Sequence, residues 1–440
     1  MRRDFEQLAN EVCAPHPGVD RTTLYWAAES SDFIRFNHAQ VRQATHVMQR
    51  HGTLSVVAGA RQATSRVTLT GDTAVDAQAL LAEHARLVQD LPFVPEDPYL
   101  LLPAEVNSTE RDAAGRVPSA SQVIEAVSQQ GRGTDLVGFY AGGPIARGFA
   151  DSRGQRNWHR VESFHLEWCL YHDGDKAVKS AYAGTFWEDA SLANRMAAAR
   201  EQLALLSRPV KTLAPGDYRV YLSPVAVADL LGTLSWGGFG HKDLQTGVST
   251  LMRAHRGQAG FHGAVTLTEA SGEGIAPRFQ SDGFVKPGSV PLVKDGRIAG
   301  TLVSPRTARE YGVDANGAGP AETPDALAMA GGTLDANEVL DALDTGVYIS
   351  DLHYLNYSDR QACRMTGMTR FACFWVERGR IVAPISVMRF DDSLLRMFGE
   401  GLEALTQSSE LVPDSSTYQE RALRSVTAPG AIVRGFRFTL

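Results

Sequence analysis

Between Leu234 and His241 the chain reads LSWGGFGH, a run holding one indole, one imidazole and three glycines. His241 is open to three readings: the relic of a metal site, a group that touches a peptide, or a hydrogen-bonded histidine at a helix end. Other potential ligands are spread thinly. His255 and His262 stand seven apart with glycines between them, and His353 lies near Asp351 and Asp359. Zinc sites draw ligands from short spacings on one element, and none of these groups offers that. The cysteines, at 13, 169, 363 and 373, include no CxxC pair, and Cys363 and Cys373 read as buried thiols. No Gly-x-Ser-x-Gly elbow marks a nucleophile. Gly142-Gly143 and Gly237-Gly238-x-Gly240 lack the strand and helix context of a phosphate loop, so they read as turns or close backbone approaches.

The elements that position LSWGGFGH are legible. Ser223 and Pro224 suit the cap and first position of a helix running through Val225, Ala226, Leu230, Leu231 and Leu234. The glycines that follow would each cost about 1 kcal/mol inside a helix, so it ends near Trp236. Upstream, Phe5, Leu8, Ala9 and Val12 share a helix face, residues 53–72 read as two strands, and 73–91 as a helix. A proline-rich loop over 92–103 precedes a helix near 119–130. A strand meander over 135–187 turns at 151–154 and 173–175, and a helix over 189–206 follows. Proline and glycine punctuate 207–224, which divides the chain into an N-terminal α+β domain (1–208) and a strand-rich C-terminal domain (216–440). Within the latter, 290–303 and 373–387 read as two similar hairpins with largely buried apolar faces, turning at Lys294–Arg297 and Glu377–Arg380. Strands gathered beside helices make the fold class α+β, with mixed sheets.

A length of 440 residues suits two domains, and 43% hydrophobic with 21% charged residues is ordinary globular composition. The formal charge of −7 and the short basic runs give no footprint for nucleic acid. The N-terminus lacks the apolar run of a signal peptide, and no window is long enough to cross a bilayer. The expectation is a cytoplasmic chain with no membrane partner.

The order of several segments resembles the TldD/PmbA family. They are SDFIRFNHAQVRQATHVMQ (31–49), similar to a family strand, ADSRGQ (150–155), and PGDYRVYLSPVAVADLLGTLSW (215–236). The stretches 281–312 and 346–385 complete the set. The resemblance implies a two-domain fold in which catalytic members hold zinc. They do so through His-Glu-x-x-x-His on the helix after the first strand of the second domain, with a cysteine near the C-terminus and the glutamate as base. Laid on this sequence, the motif falls on Trp236 to His241. The second histidine is His241, but the first is Trp236, an N–H donor, and the glutamate is Gly237, which has no side chain. Residues 415–440 contain no cysteine, and Tyr418 is the nearest counterpart of that ligand. The resemblance therefore implies the family's non-catalytic class, TldE, with a degenerate motif of Trp236, Gly237 and His241 and no metal, cofactor or catalytic residue of its own. It further implies a zinc-bearing TldD-type partner subunit and an unfolded or leader-bearing peptide as substrate. Two rivals remain open: a self-contained hydrolase using displaced ligands, and a stand-alone peptide-binding protein. Trp236 itself could be an interface anchor or a core residue.

Overall fold

Apolar residues recur at every second position of the early strands, so that one sheet face can be covered by helices. A computed structural model describes residues 1–174 and 176–440; Asp175, placed in the turn at 173–175, lies outside the described residues. The first sheet has seven strands: β1 (Arg21–Asn37), β2 (Gln40–Ala58), β3 (Arg61–Thr68), β4 (Thr109–Ala113), β5 (Asp135–Asp151), β6 (Arg156–Asp173) and β7 (Lys176–Gly184). They lie in the order β3-β2-β1-β5-β6-β4, with β7 also on β6. Leu24, Trp26, Ala28, Ile34 and Phe36, at even positions of β1, are buried. Helices α1 (Arg2–Val12) and α2 (Thr73–Asp90) contribute to the apolar cluster at one end of this sheet, and α3 (Ala120–Gln130) and α4 (Asp189–Leu206) to the cluster at the other.

One expectation changes here. Residues 31–49, anticipated as a strand, form the tip of the β1–β2 hairpin. His38 and Ala39 reverse the chain with φ of 50° and 56°. That paired left-handed geometry usually announces itself with Asn-Gly or Asp-Gly, which are absent here.

The second sheet contains β8 (Gly216–Leu222), β9 (Leu267–Glu269), β10 (Val290–Lys294), β11 (Arg297–Ile298), β12 (Ala326–Met329), β13 (Gly346–Ile349), β14 (Leu352–Asp359), β15 (Arg364–Thr369), β16 (Cys373–Glu377), β17 (Arg380–Pro384), β18 (Arg389–Ser393), β19 (Leu402–Pro413) and β20 (Ser425–Phe438). Its main path runs β11-β10-β9-β12-β20-β8-β13-β16-β17, mixed because β12 runs parallel to β20 and β13 to β8. Helices segregated beside two such sheets make the fold α+β. Helix α5 (Pro224–Leu234) packs against β20, with the Ser223 hydroxyl accepting from Ala226 N–H at its start.

The two hairpins lie at opposite ends of that path. Their turns carry paired positive φ, at Asp295 and Gly296 (48° and 77°) and at Arg378 and Gly379 (49° and 72°). The first return strand stops at Ile298, short of the anticipated 303. Leu302 is buried and bridges Gly240 instead. The second hairpin's β17 is an edge strand, and Ile385 beyond it is only half-buried, so the expectation of a largely buried apolar face fails there.

The helix-free face of the first sheet meets the second half of the chain through polar contacts. Arg421, on the segment between β19 and β20, is 6% exposed. Its backbone N–H donates to Glu29 Oε2 (3.1 Å), Nε to Ser31 Oγ (3.0 Å), Nη1 to the Ser163 carbonyl (3.0 Å) and Nη2 to the Gly143 carbonyl (2.6 Å). Gln155 Nε2 donates to the Gly283 carbonyl (2.7 Å) and Arg111 Nη1 to the Gly274 carbonyl (2.6 Å). Replacing Arg421 by alanine strands buried Glu29 without its guanidinium. Arg421→Ala is predicted to cost about 3–5 kcal/mol in urea unfolding, and a loss below about 0.5 kcal/mol would contradict the clamp.

Candidate functional site

Helix α5 ends where its carbonyls run out of partners inside the helix. Gly238 N–H donates back to the Leu234 carbonyl (3.1 Å), and Gly237 takes a φ of 83°. A Cβ on Gly237 would sit 2.6 Å from Arg360 Nη2 and 3.0 Å from Asp243 Oδ2, so a glutamate side chain has no room there unless its neighbours move. Trp236 is 53% exposed and is not a core residue. Its carbonyl accepts from Arg360 Nη2 (3.0 Å), and its ring lines a cleft with Asp229, Thr233 and Tyr354.

His241 stands apart from that cleft, at the start of the short helix α6 (His241–Gln245). Gln245 Nε2 donates to its Nε2 (3.1 Å), which leaves its Nδ1–H for Thr301 Oγ1 (3.0 Å). Both ring nitrogens are engaged, the arrangement of a hydrogen-bonded histidine at a helix end. Trp236, Gly237 and His241 are thus spread over a turn and a second helix and share no helix face. Tyr418 is 85% exposed on the segment that carries Arg421, and not on β20, which packs against α5. These positions do not supply a zinc donor set. Among the described residues, no three His, Cys, Asp or Glu side chains group where a metal ion could be held. Burial pushes the Cys363 and Cys373 thiols up to about 12, which keeps them inert as nucleophiles.

Of the groups that do converge, the sequence had singled out only Asp351, and with His353 rather than with its partners here. Lys179 of β7 meets Asp351, in the turn between β13 and β14, with Nζ 3.1 Å from Oδ2. Asp229 of α5 lines the same space, as do His165 and Glu167 of β6. Burial first, and then the charge of Asp351, raises the Asp229 carboxyl well above the usual carboxylate range. Asp351 is raised as well, by burial, with Lys179 opposing the shift. Burial lowers His165, whose ring therefore favours the neutral form. Chemically, this is a lysine among carboxylates at the junction of two clefts: it can hold a cation or donate and accept hydrogen bonds along a backbone.

Residues 215–440 match the family model of the PmbA/TldA metallopeptidase C-terminal domain. The chain belongs to the PmbA/TldD family. Its fold is similar to TldE from Thermococcus kodakarensis, with a TM-score of 0.81 at 11% identity, covering 99% of this chain and 100% of that one. It is also similar to a protein from Thermotoga maritima described as a modulator of a DNA gyrase, with a TM-score of 0.77 at 14% identity over 100% of both chains. A gyrase-modulator protein from Bacteroides thetaiotaomicron follows at 0.75 and 14%, over 100% of this chain and 98% of that one. No curated protein sequence matches.

The raised carboxyl of Asp229 sets a pH dependence. A carboxyl that holds its proton more tightly when folded adds stability below its unfolded pKa of about 4, and loses it as pH rises through the raised folded value. Asp229→Asn keeps the shape and removes the charge. It is predicted to be more stable than the parent at pH 8, on the order of 1 kcal/mol, and equal to it near pH 4. Equal urea midpoints of parent and variant at both pH values would contradict the shift.

Proposed function

We propose that this chain is the non-catalytic, TldE-like subunit of a heterodimeric peptidase and forms part of the wall of a peptide-binding cleft. The observation that carries the reading is the junction behind Trp236. A family metallopeptidase domain retains a cleft of about 430 Å³ at the end of α5, while the motif positions there offer an indole and a glycine and no ligand or base. Ligand clefts of this size bury several side chains, and an exposed indole beside a tyrosine suits an extended peptide. The zinc and the water-activating glutamate then belong to a TldD-type partner, and the peptide is unfolded or leader-bearing. The gyrase-modulator descriptions of two similar structures lend no support to nucleic-acid binding here, since the chain carries a net charge of −7.

Co-purification with a His-Glu-x-x-x-His homologue, followed by peptide cleavage assays on each chain and on the mixture, tests the proposal. The mixture is predicted to cleave an unfolded peptide in a chelator-sensitive way, and the isolated chain to be inactive. Chelator-sensitive cleavage by the isolated chain would overturn the non-catalytic reading, and absence of a complex would overturn the heterodimer.

A further inference from the structure

Behind the cleft that Trp236 opens lies a second space of about 470 Å³, lined by His165, Glu167 and Lys179 from the first sheet and by Asp229, Ser350 and Asp351 from the second half of the chain. Asp351 is 2% exposed. Its Oδ2 receives Lys179 Nζ, yet its Oδ1 has no hydrogen-bond partner, and neither has Ser350 Oγ nor His165 Nδ1. Buried polar atoms are almost always paired, and three unpaired ones on residues that line a single space leave hydrogen-bonding capacity that no described residue meets. The charges agree. Five carboxylates line this space against Lys179 and Arg195. Arg195 holds Glu410 (3.2 Å), Arg424 holds Asp414 (2.9 Å) and Lys179 holds Asp351. Among the described residues, no ion pair engages Glu167 or Asp229, so the space holds two carboxyl groups without a cation.

We propose that this space is a binding site for a primary ammonium group of the peptide, received by Asp351 Oδ1 and Ser350 Oγ with the charge balanced by Asp229 and Glu167. An ammonium has three N–H donors and no acceptor, which complements an ionised carboxylate oxygen and a hydroxyl. The bound state of Lys179 already demonstrates the pairing on the other oxygen of Asp351. The same chemistry is offered by a peptide's α-amino terminus and by a lysine side chain. The proposal deepens the reading of the cleft as a peptide wall and rests on it.

The full-length chain is titrated, with fluorescence anisotropy as readout, against three C-terminally labelled unfolded hexapeptides. One has a free amino terminus and no lysine, one is its N-acetylated form, and one is N-acetylated with a single lysine. The free-amine peptide, the lysine peptide or both should bind at least tenfold more tightly than the acetylated lysine-free one, and which of them does so identifies the source of the ammonium. Asp351→Asn and Asp229→Asn should each abolish the preference, so that the free-amine and lysine peptides bind no more tightly than the acetylated lysine-free one. Should Asp351→Asn melt early, Asp229→Asn alone decides. Equal binding of all three peptides to the parent overturns the ammonium site and leaves the peptide cleft standing. A preference that survives the substitutions also overturns the site. Binding of none of the three overturns the peptide reading itself, and this proposal with it.

Discussion

The buried guanidinium of Arg421 joins two sheets across faces that are unusually polar for an interior. It donates to three backbone carbonyls, those of Ala141, Ser163 and Gly143, and to Ser31 Oγ, while its own backbone N–H reaches Glu29. An arginine can do this because its planar fork carries five donors in fixed directions, which a lysine does not match. Apolar packing helps locally: Ile145 and Val161 of the first sheet meet Ile275, Ala276 and Leu423 of the second half. The clamp fixes the two sheets without filling all the space between them.

That unfilled space is where the candidate chemistry lies. Along β6 the odd positions Ser163, His165 and Glu167 face the second half of the chain, while Phe164, Leu166 and Trp168 are buried among apolar residues on the other face. A polar strand face set against α5 and the Ser350–Asp351 turn cannot close by hydrophobic contact. Desolvating Lys179, Asp229 and Asp351 together costs free energy that their mutual pairing only partly offsets, and Asp351 Oδ1 stays unpaired. Sites that keep such groups partly unsatisfied are the ones where a ligand supplies the missing partner.

What could be read from sequence follows from how local each signal is. Helix α5 was legible because Ser223-Pro224 starts it and glycines end it within a few residues. The turns at Asp295-Gly296 and Arg378-Gly379 were legible because a glycine marks the left-handed step. The β1–β2 tip was not, since His38 and Ala39 enter that region without the usual residues. The lengths of the hairpins were misread because the residues beyond each return strand pair with partners remote in sequence, Leu302 with Gly240 and Ile385 with Lys211. At the site, Trp236, Gly237 and His241 could be singled out only by resemblance, and the structure separates them. Lys179, Asp229 and Asp351 lie far apart in the chain and meet only because two sheets stack, so no spacing rule could join them. The strand meander over 135–187 was legible, and β6 within it alternates polar and apolar residues through SFHLEWCL. Sequence alone does not say whether such a face meets water or another sheet.

Hydrogen exchange of the full-length chain with and without an unfolded peptide tests most directly whether the space between the sheets is a peptide path. The account predicts that added protection concentrates on the end of α5, on the Ser350–Tyr354 turn and on the end of β19, with the outer faces of α1 and α2 unchanged. Protection confined to those outer helices, or none at saturating peptide, would contradict it.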